Sequence, residues 1–456
     1  GITRHVIVYE QPAETYIQRV ETSVTDYAKG TIDVQVVLGG NLDVHSVKIS
    51  FAFDGAAAGA PMYLTVTDGV TAPVSLTVPN PTPWTPSTPN LHTLETALLA
   101  GSTADVSDAQ IVRFGLRQLG IEPGSGRLLI NGKALKLHGY NRHTMWPDTG
   151  SALTLDQVKT DVSLLLESGV NYVRGAHYPQ MQSFLDICDE VGIVVWEETL
   201  GPGVSTSNLL DPYFMKYQVQ AVNEMVSASF NHPRYALGCA FYNEGPSGDR
   251  HACPGYNTSA TTIRNRVGKN KFVTWASNRG EKDACLDIAD VVSFNSYPAW
   301  YNFPGDVAEC ATYWSDQANW VTTNQPGKPF LISETGSGGI YEWTNSSSSN
   351  GTYPKWSQGY MAQVTTADAS EALTNDKFSG LTLWQFSDIK ASGDATAKCG
   401  QCDYIPNSNP PTCAFINANC GRPGGENHKG SVDFWRRKKL SYDKIAALYN
   451  ATAAKQ

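Results

Sequence analysis

Apolar and polar residues alternate through the first hundred positions. TIDVQVVL (31–38), HSVKISFAF (45–53), PMYLTVTD (61–68) and APVSLTVP (72–79) each place apolar side chains at roughly every second residue, with Gly, Asp and Asn between the runs. A period of two sends one face of a strand into a core and the other into water. Short runs of this kind separated by turn residues predict an antiparallel β-sandwich of immunoglobulin-like size over residues 1–112. The segment 81–94 (PTPWTPSTPNLHTL) is too rich in proline for a central strand and reads as an edge or a connection. Nothing in this region clusters like a catalytic site, so its expected role is structural.

Beyond Arg113-Phe114-Gly115 the rhythm changes. Asn131-Gly132 signals a two-residue hairpin turn. Apolar runs of strand length then recur at 134–141, 171–177, 193–198, 236–244, 271–277, 291–297, 329–335 and 381–388. Helical patterns separate them, at 155–168 (apolar at Leu155, Val158, Val162, Leu165 and Leu166), 181–190, 212–230 and 442–449. Eight buried strands divided by helices predict an α/β fold over 113–456, a (β/α)8 TIM barrel.

In such a barrel the C-terminal strand ends converge on one face. The fourth run ends in Asn243-Glu244 and is closed by Gly245-Pro246, and the seventh carries Glu334 before Thr335 and Gly336. Two strand-end carboxyls suit glycoside hydrolysis, in which one protonates the leaving group and the other attacks the sugar; a retaining mechanism wants them ~5 Å apart. Glu197 and Glu198, ending the third run, are rivals that read better as partners of rim cations.

Composition narrows the class. The 456 residues carry a formal charge of −9, which argues against a nucleic-acid partner, and 41% hydrophobic content with 17% charge excludes wholesale disorder. No apolar run approaches the ~20 residues of a membrane span, so no membrane partner is expected. There is no signal-peptide pattern at Gly1. Nine cysteines and four N-x-S/T sequons, at Asn257, Asn345, Asn350 and Asn450, predict a secreted, disulfide-bonded glycoprotein. Cys188 and Cys239 read as core thiols. Cys253, Cys285 and Cys310 read as loop residues that supply one bridge. Cys399, Cys402, Cys413 and Cys420 sit in a Cys-rich insertion at 391–425 and read as two disulfides, with a four-cysteine zinc site as the alternative. No His/Asp/Glu spacing demands a catalytic metal, and no cofactor is expected.

The chain resembles glycoside hydrolase family 2, the retaining exo-glycosidases that include β-galactosidases and β-glucuronidases, as a secreted member of fungal type. The resemblance rests on PNLHTL, RFGLRQLGIEPG, LLINGKALKLHGYNRH, RGAHYP, DEVGIVVWEE, FNHPRYALGCAFYNEGP, SFNSY, PFLISETG and NHKG, all in the family's order. It implies Glu244 as acid/base and Glu334 as nucleophile. It also implies Asn243 on the sugar 2-hydroxyl, Tyr297 orienting Glu334, Trp384 stacking on a sugar face, and Arg174, His177 and His143 lining the rim. His177 also reads as a buried structural histidine, and Trp384 as core packing.

Asn427-His428-Lys429-Gly430 resembles the Asn-x-Lys motif with which family β-glucuronidases hold the substrate carboxylate, which implies Asn427 and Lys429 as sugar ligands. Against that, His143-Thr144-Met145 replaces the glucuronidase HED, and the following PDTGSALT looks more like galactosidases. A β-glucuronidase is the first expectation and a β-galactosidase, or β-galactofuranosidase, the second. A non-catalytic carbohydrate-binding protein stands as the alternative from another class. Family members carry a jelly-roll domain before the sandwich, so an associated N-terminal fragment is an expected partner, as is a second copy of the chain.

Overall fold

The computed structural model describes the chain except residues 1, 5, 13, 102–103, 200, 234–238, 269–270, 345–350, 352, 392–421, 423–424 and 455–456. The four-cysteine cluster and the sequons at Asn345 and Asn350 lie outside the described residues, as does the side chain of Cys239.

The alternating region forms an antiparallel sandwich. Tyr16–Asp26 pairs with Thr31–Gly39, and Ser46–Phe53 with Met62–Thr67. Met62–Thr67 also pairs with the short strand Val70–Thr71, which bridges to Thr31–Gly39, so the pairing passes from one layer to the other. Between the layers lie Ile32, Val34, Val36 and Leu38 from one strand and Val47, Ile49, Phe51 and Phe53 from another, the every-second-residue set of each run. The proline-rich segment divides. Trp84–Thr85 and Thr88–Pro89 form a small ribbon, whereas His92-Thr93-Leu94 opens a central strand, His92–Leu99, between Ser46–Phe53 and Val106–Phe114. The prolines stop at Pro89, so nothing after it removes a ladder donor.

The eight barrel strands are Leu137–Asn141, Tyr172–Arg174, Val194–Trp196 continued by Glu198–Thr199, Cys239–Phe241, Val273–Thr274, Val292–Asn295, Phe330–Thr335 and Gly380–Leu383. Parallel pairing runs from the first to the second and third strands, and through the eighth and seventh to the sixth. The third strand breaks at Glu197. Val194–Trp196 pairs with the second strand, and Glu198–Thr199 with the fourth, which pairs in turn with the fifth. A parallel bridge between Ser277 and Phe294 joins fifth to sixth and closes the ring.

Helices cover the barrel with their apolar stripes inward. Leu155–Glu167 buries Val158, Val162 and Leu165 and starts at a reciprocal cap between Thr154 and Gln157. Pro212–Ala228 starts at Asp211 with proline in its first turn, where a missing N–H costs nothing. Gln182–Val191 ends at Gly192 with φ 82°, and a Cβ there would stand 2.0 Å from the Pro86 carbonyl oxygen. That contact belongs to the junction with the sandwich. Trp84 is fully buried there and donates its indole N–H to the Asp189 carbonyl at 2.9 Å, and Thr22 gives its N–H and hydroxyl to Asn231 at 2.9 and 3.1 Å.

Cys253 and Cys285 form a disulfide, whereas Cys188 and Cys310 are buried cysteines outside it. Two of the three cysteines read as loop residues lie in helices: Cys253 opens Cys253–Val267, and Cys310 is second in Glu309–Asn324, packed among Trp300, Trp356 and Tyr360. No helix among the described residues is long and apolar enough to cross a membrane.

Candidate active site

The ends of strands one, three, four and seven meet around a buried arginine at the end of the second. Arg174 ends the second strand and is 0% exposed. Its Nη1 donates to Glu334 Oε1 and to Asn141 Oδ1, both at 2.7 Å. Its Nε donates to Glu198 Oε1 at 2.8 Å, and Nη2 donates to Asn243 Oδ1 at 2.9 Å and lies 2.7 Å from Glu198 Oε1. Burial alone would lower its pKa, but the carboxylates of Glu198 and Glu334 outweigh that and hold it above the ordinary arginine value. Arg174 therefore does not line the rim as expected. It lies beneath the carboxylates with its donors committed, because two buried acids need a cation between them.

Glu334 is 4% exposed and held from both sides, with Tyr297 donating its hydroxyl to Oε2 at 2.7 Å opposite the arginine. Glu244 is half-buried and differently placed. It follows the fourth strand in a turn where Tyr242 and Glu244 take φ 57° and 51°, a left-handed conformation that non-glycine residues rarely adopt. The turn is fixed by hydrogen bonds from Glu244 N to the Ala276 carbonyl at 2.8 Å and from Gly245 N to the Tyr242 carbonyl at 2.9 Å. Burial first, and the Glu334 charge second, raise the Glu244 pKa. A carboxyl whose pKa is raised, beside a carboxylate locked by a cation and a phenol, is a pair suited to proton donor and nucleophile.

Between the two acids sits Asn295, which sequence reasoning quoted within SFNSY and gave no role. Its Nδ2 reaches Glu244 Oε1 at 3.1 Å and Asn243 Oδ1 at 3.2 Å, while its Oδ1 accepts from the Ser333 hydroxyl at 2.8 Å. With Oδ1 of Asn243 taken by Arg174 and Asn295, its Nδ2 is the end of the amide left to meet a ligand. Asn141, also passed over, orients Arg174. Both are polar residues at the C-terminal ends of barrel strands, which is the signal that could have found them.

One wall is aromatic. The His177 ring stacks on Trp384 with centroids 5.1 Å apart and planes at 13°, and His143 meets both edge-on. Burial, then His177 and Arg174, push the His143 pKa down to about 3, so this ring is neutral. His177 Nδ1 also lies 3.2 Å from Glu198 Oε2, which anchors it to the buried cluster. Of the rival acids, Glu198 pairs with Arg174 and His177 as expected. Glu197 accepts the backbone N–H of Gln180 at 2.7 Å.

The opposite wall holds Lys429. It is buried, donates to the Tyr301 hydroxyl at 3.0 Å, and lies 4.0 and 4.1 Å from the ring centres of Tyr297 and Tyr301. Burial lowers its pKa to about 8, opposed by Tyr301 and, more weakly, by the Glu334 charge. Tyr301 titrates at about 8 because Lys429 and Arg422 outweigh its burial. Asn427 is buried two residues earlier and accepts the Lys429 backbone N–H at 3.3 Å.

Residues 11–117 match the family described as Glycosyl hydrolases family 2, and residues 121–404 match Glycosyl hydrolases family 2, TIM barrel domain. The chain belongs to glycosyl hydrolases family 2. Human beta-glucuronidase is 28% identical to this family 2 chain over 346 residues, which cover 74% of the chain and 51% of the relative. Beta-galactosidase of Thermoanaerobacter pseudethanolicus is 36% identical over a shorter stretch of 155 residues, 34% of the chain and 20% of that protein. Among solved structures, the GH2 beta-galacturonidase of Eisenbergiella tayi bound to galacturonate aligns with a TM-score of 0.79 at 27% identity, covering 96% of this chain and 73% of that one. The chain spans about half the length of the curated beta-glucuronidases it matches.

Among the described residues, two clusters of this family 2 chain bring three metal-ligating atoms within 4.8 Å of one another, Asp186 with Asp189 and His232, and Asp388 with Glu426 and His428. Each already holds a cation from the chain. Arg113 pairs with Asp186 at 2.8 Å, and Lys439 pairs with Asp388 at 2.7 Å, so both are ion-pair networks in this fold.

Proposed function

We propose that this chain carries the catalytic barrel of a retaining exo-acting β-glycosidase that removes a terminal β-linked uronic acid, a glucuronide in the first instance. The observation that carries the uronide reading is Lys429, a buried ammonium lining the wall beside Glu334, with Arg422 nearby and no carboxylate hydrogen-bonded to it among the described residues. An ammonium and an amide at Asn427 are suitable donors for a sugar carboxylate. The likeness to human beta-glucuronidase and to the galacturonate-bound Eisenbergiella tayi structure supports the same class.

In this reading Glu334 attacks the anomeric carbon while Glu244 gives its proton to the departing glycosidic oxygen. The C–O bond breaks and a glycosyl ester forms on Glu334. Glu244, now a carboxylate, takes a proton from water, and that water displaces Glu334 and restores both groups. Asn243 Nδ2 meets the sugar 2-hydroxyl, a contact that strengthens in the transition state. Trp384, with His177 stacked on it and His143 against its edge, supplies an apolar face for the ring. Arg174 orients Glu334 and Asn243 from below and takes no part in binding the sugar. The exposed sequons at Asn257 and Asn450 and the Cys253–Cys285 disulfide support a secreted glycoprotein.

The galactoside reading draws on the 36% identical stretch of the Thermoanaerobacter pseudethanolicus enzyme. Hydrolysis of p-nitrophenyl β-D-glucuronide, β-D-galacturonide and β-D-galactoside by wild type, Glu334→Gln and Lys429→Ala separates these. The expected result is an inert Glu334→Gln and a Lys429→Ala loss of about 10- to 100-fold confined to uronides, the worth of a charge-assisted contact. Equal losses on charged and neutral sugars would remove the uronide reading. Equal inertness of wild type and Glu334→Gln on the whole panel would remove the hydrolase reading.

A further inference from the structure

We propose that Asp283 is a positioning residue for Glu244. It acts through Ser247 and Trp275, and the Cys253–Cys285 disulfide locks it in place. The inference rests on the reading of Glu244 as the acid/base.

The turn that presents Glu244 holds two non-glycine residues at positive φ, Tyr242 and Glu244, so the surrounding contacts must impose that backbone. Those contacts converge on one carboxylate. Asp283 Oδ2 accepts from the Ser247 hydroxyl at 2.6 Å and from the Trp275 indole N–H at 2.9 Å, and Oδ1 accepts from Cys285 N at 2.9 Å. Ser247 lies three residues beyond Glu244, at the far end of its turn. Trp275 directly precedes Ala276, whose carbonyl accepts the Glu244 N–H. Asp283 therefore holds both supports of the Glu244 backbone, the turn and the fifth strand, through one side chain.

The strap is closed twice more. Ala284 N donates to the Ser247 carbonyl at 2.8 Å, and the disulfide ties Cys285 to Cys253, the first residue of the helix that follows the turn. Asp283, Ser247, Trp275 and Cys285 are all buried, and none of them has a place in the sugar chemistry described above. A buried carboxylate accepting three donors is a rigid post, because moving any one of them leaves a desolvated acceptor unpaired.

A misplaced acid slows only those substrates whose leaving group needs a proton. The test is kcat/KM, which reports steps up to glycosyl transfer, for two aryl β-glycosides of the sugar that wild type hydrolyses: a 2,4-dinitrophenyl glycoside, whose leaving group departs unaided, and a 4-methoxyphenyl glycoside, whose leaving group does not. Ser247→Ala and Asp283→Ala are expected to lower kcat/KM for the methoxyphenyl substrate by about tenfold or more and to leave the dinitrophenyl value within about twofold. Asp283→Asn, which keeps one acceptor oxygen, should fall between wild type and Asp283→Ala. The Cys253→Ala/Cys285→Ala double variant should show the same selectivity, weaker in size. Ser247→Ala decides the matter if Asp283→Ala does not fold. A wild-type ratio in Ser247→Ala, or equal losses on both substrates, would overturn the proposal. Glu244→Ala is run alongside. If it too spares the methoxyphenyl glycoside, the acid/base reading fails and the positioning role falls with it; if it loses that substrate selectively while Ser247→Ala does not, only the positioning role fails.

Discussion

Replacing Arg174 with methionine keeps an unbranched apolar stem in its place and removes the charge and all of its donors. Glu198 and Glu334 would then share the barrel interior without the cation that both face. The size of the effect follows from Glu198. Burial alone would push its pKa up, yet Arg174, helped by His177, brings it down from 4.5 to about 2. That difference corresponds to roughly 3 kcal/mol of stability. Breaking a buried ion pair by removing one partner costs about 3–5 kcal/mol, so the two routes agree.

The sign with pH is fixed as well. In wild type the lowered Glu198 pKa contributes stability that is fully present above pH 4.5 and is lost as pH falls toward 2. In Arg174→Met, burial acts without opposition and raises the pKa above its unfolded value, so this carboxyl destabilises increasingly as pH rises. The stability gap between the two proteins is therefore widest near pH 7 and narrows toward pH 4. Urea unfolding of both proteins at pH 4.5 and 7.5, followed by tryptophan fluorescence, measures it. A gap that is the same at both values, or below about 1 kcal/mol at pH 7.5, would refute the claim that Arg174 acts by neutralising buried carboxylates.

Tyr297→Phe removes the hydroxyl that donates to Glu334 Oε2 and leaves the arginine contact, so kcat/KM should fall by about 10- to 100-fold with little change in unfolding midpoint, the worth of one hydrogen bond to a charged acceptor. Asn295→Ala removes the bond that lowers the Glu244 pKa, so the alkaline limb of the kcat/KM profile should move to higher pH; a move to lower pH would contradict the contact. Asp368 is fully buried behind the nucleophile strand, accepts from Thr335 Oγ1 at 2.8 Å and Trp314 Nε1 at 3.1 Å, and is raised by burial from 3.8 to about 7. Because the fold favours its protonated form, that share of stability is present below pH 3.8 and lost as pH rises through about 7, up to roughly 4 kcal/mol. Asp368→Asn should therefore lose less stability than wild type between pH 5 and 8 in urea titrations. Lys429 loses its proton above about pH 8, so KM for a uronide should rise there while KM for a neutral glycoside stays level.

Much of the architecture was legible because burial is periodic. Alternation along 31–38 and 45–53 named the inward residues of the sandwich, and the apolar spacing at Val158, Val162 and Leu165 named the buried stripe of the first barrel helix. What the pattern could not show was pairing at a distance. Cys253, Cys285 and Cys310 look alike in sequence, and only the packing of the loops after the fourth and fifth strands brings the first two together while Cys310 stays outside the bridge. The break of the third strand at Glu197 is equally invisible, since one apolar run serves two neighbours.

At the site, strand ends could be named from the chain, because a barrel delivers every strand's last residues to one mouth. That rule brought Glu244 and Glu334 forward, and the family resemblance implied Asn243, Tyr297, Trp384 and Lys429 beside them. It could not say which side chains point at a ligand and which point at one another. Arg174 occupies a strand end like the rest, yet three-dimensional packing places two carboxylates and two amides around it and turns an expected rim residue into the buried centre of the cluster. The sequence alone determined the composition of the barrel mouth, because side-chain period and strand order are local properties. The raised pKa of Glu244, the clamp on Glu334 and the depressed pKa of Lys429 were decided by the tertiary structure, because charge and burial act between atoms that the chain keeps far apart.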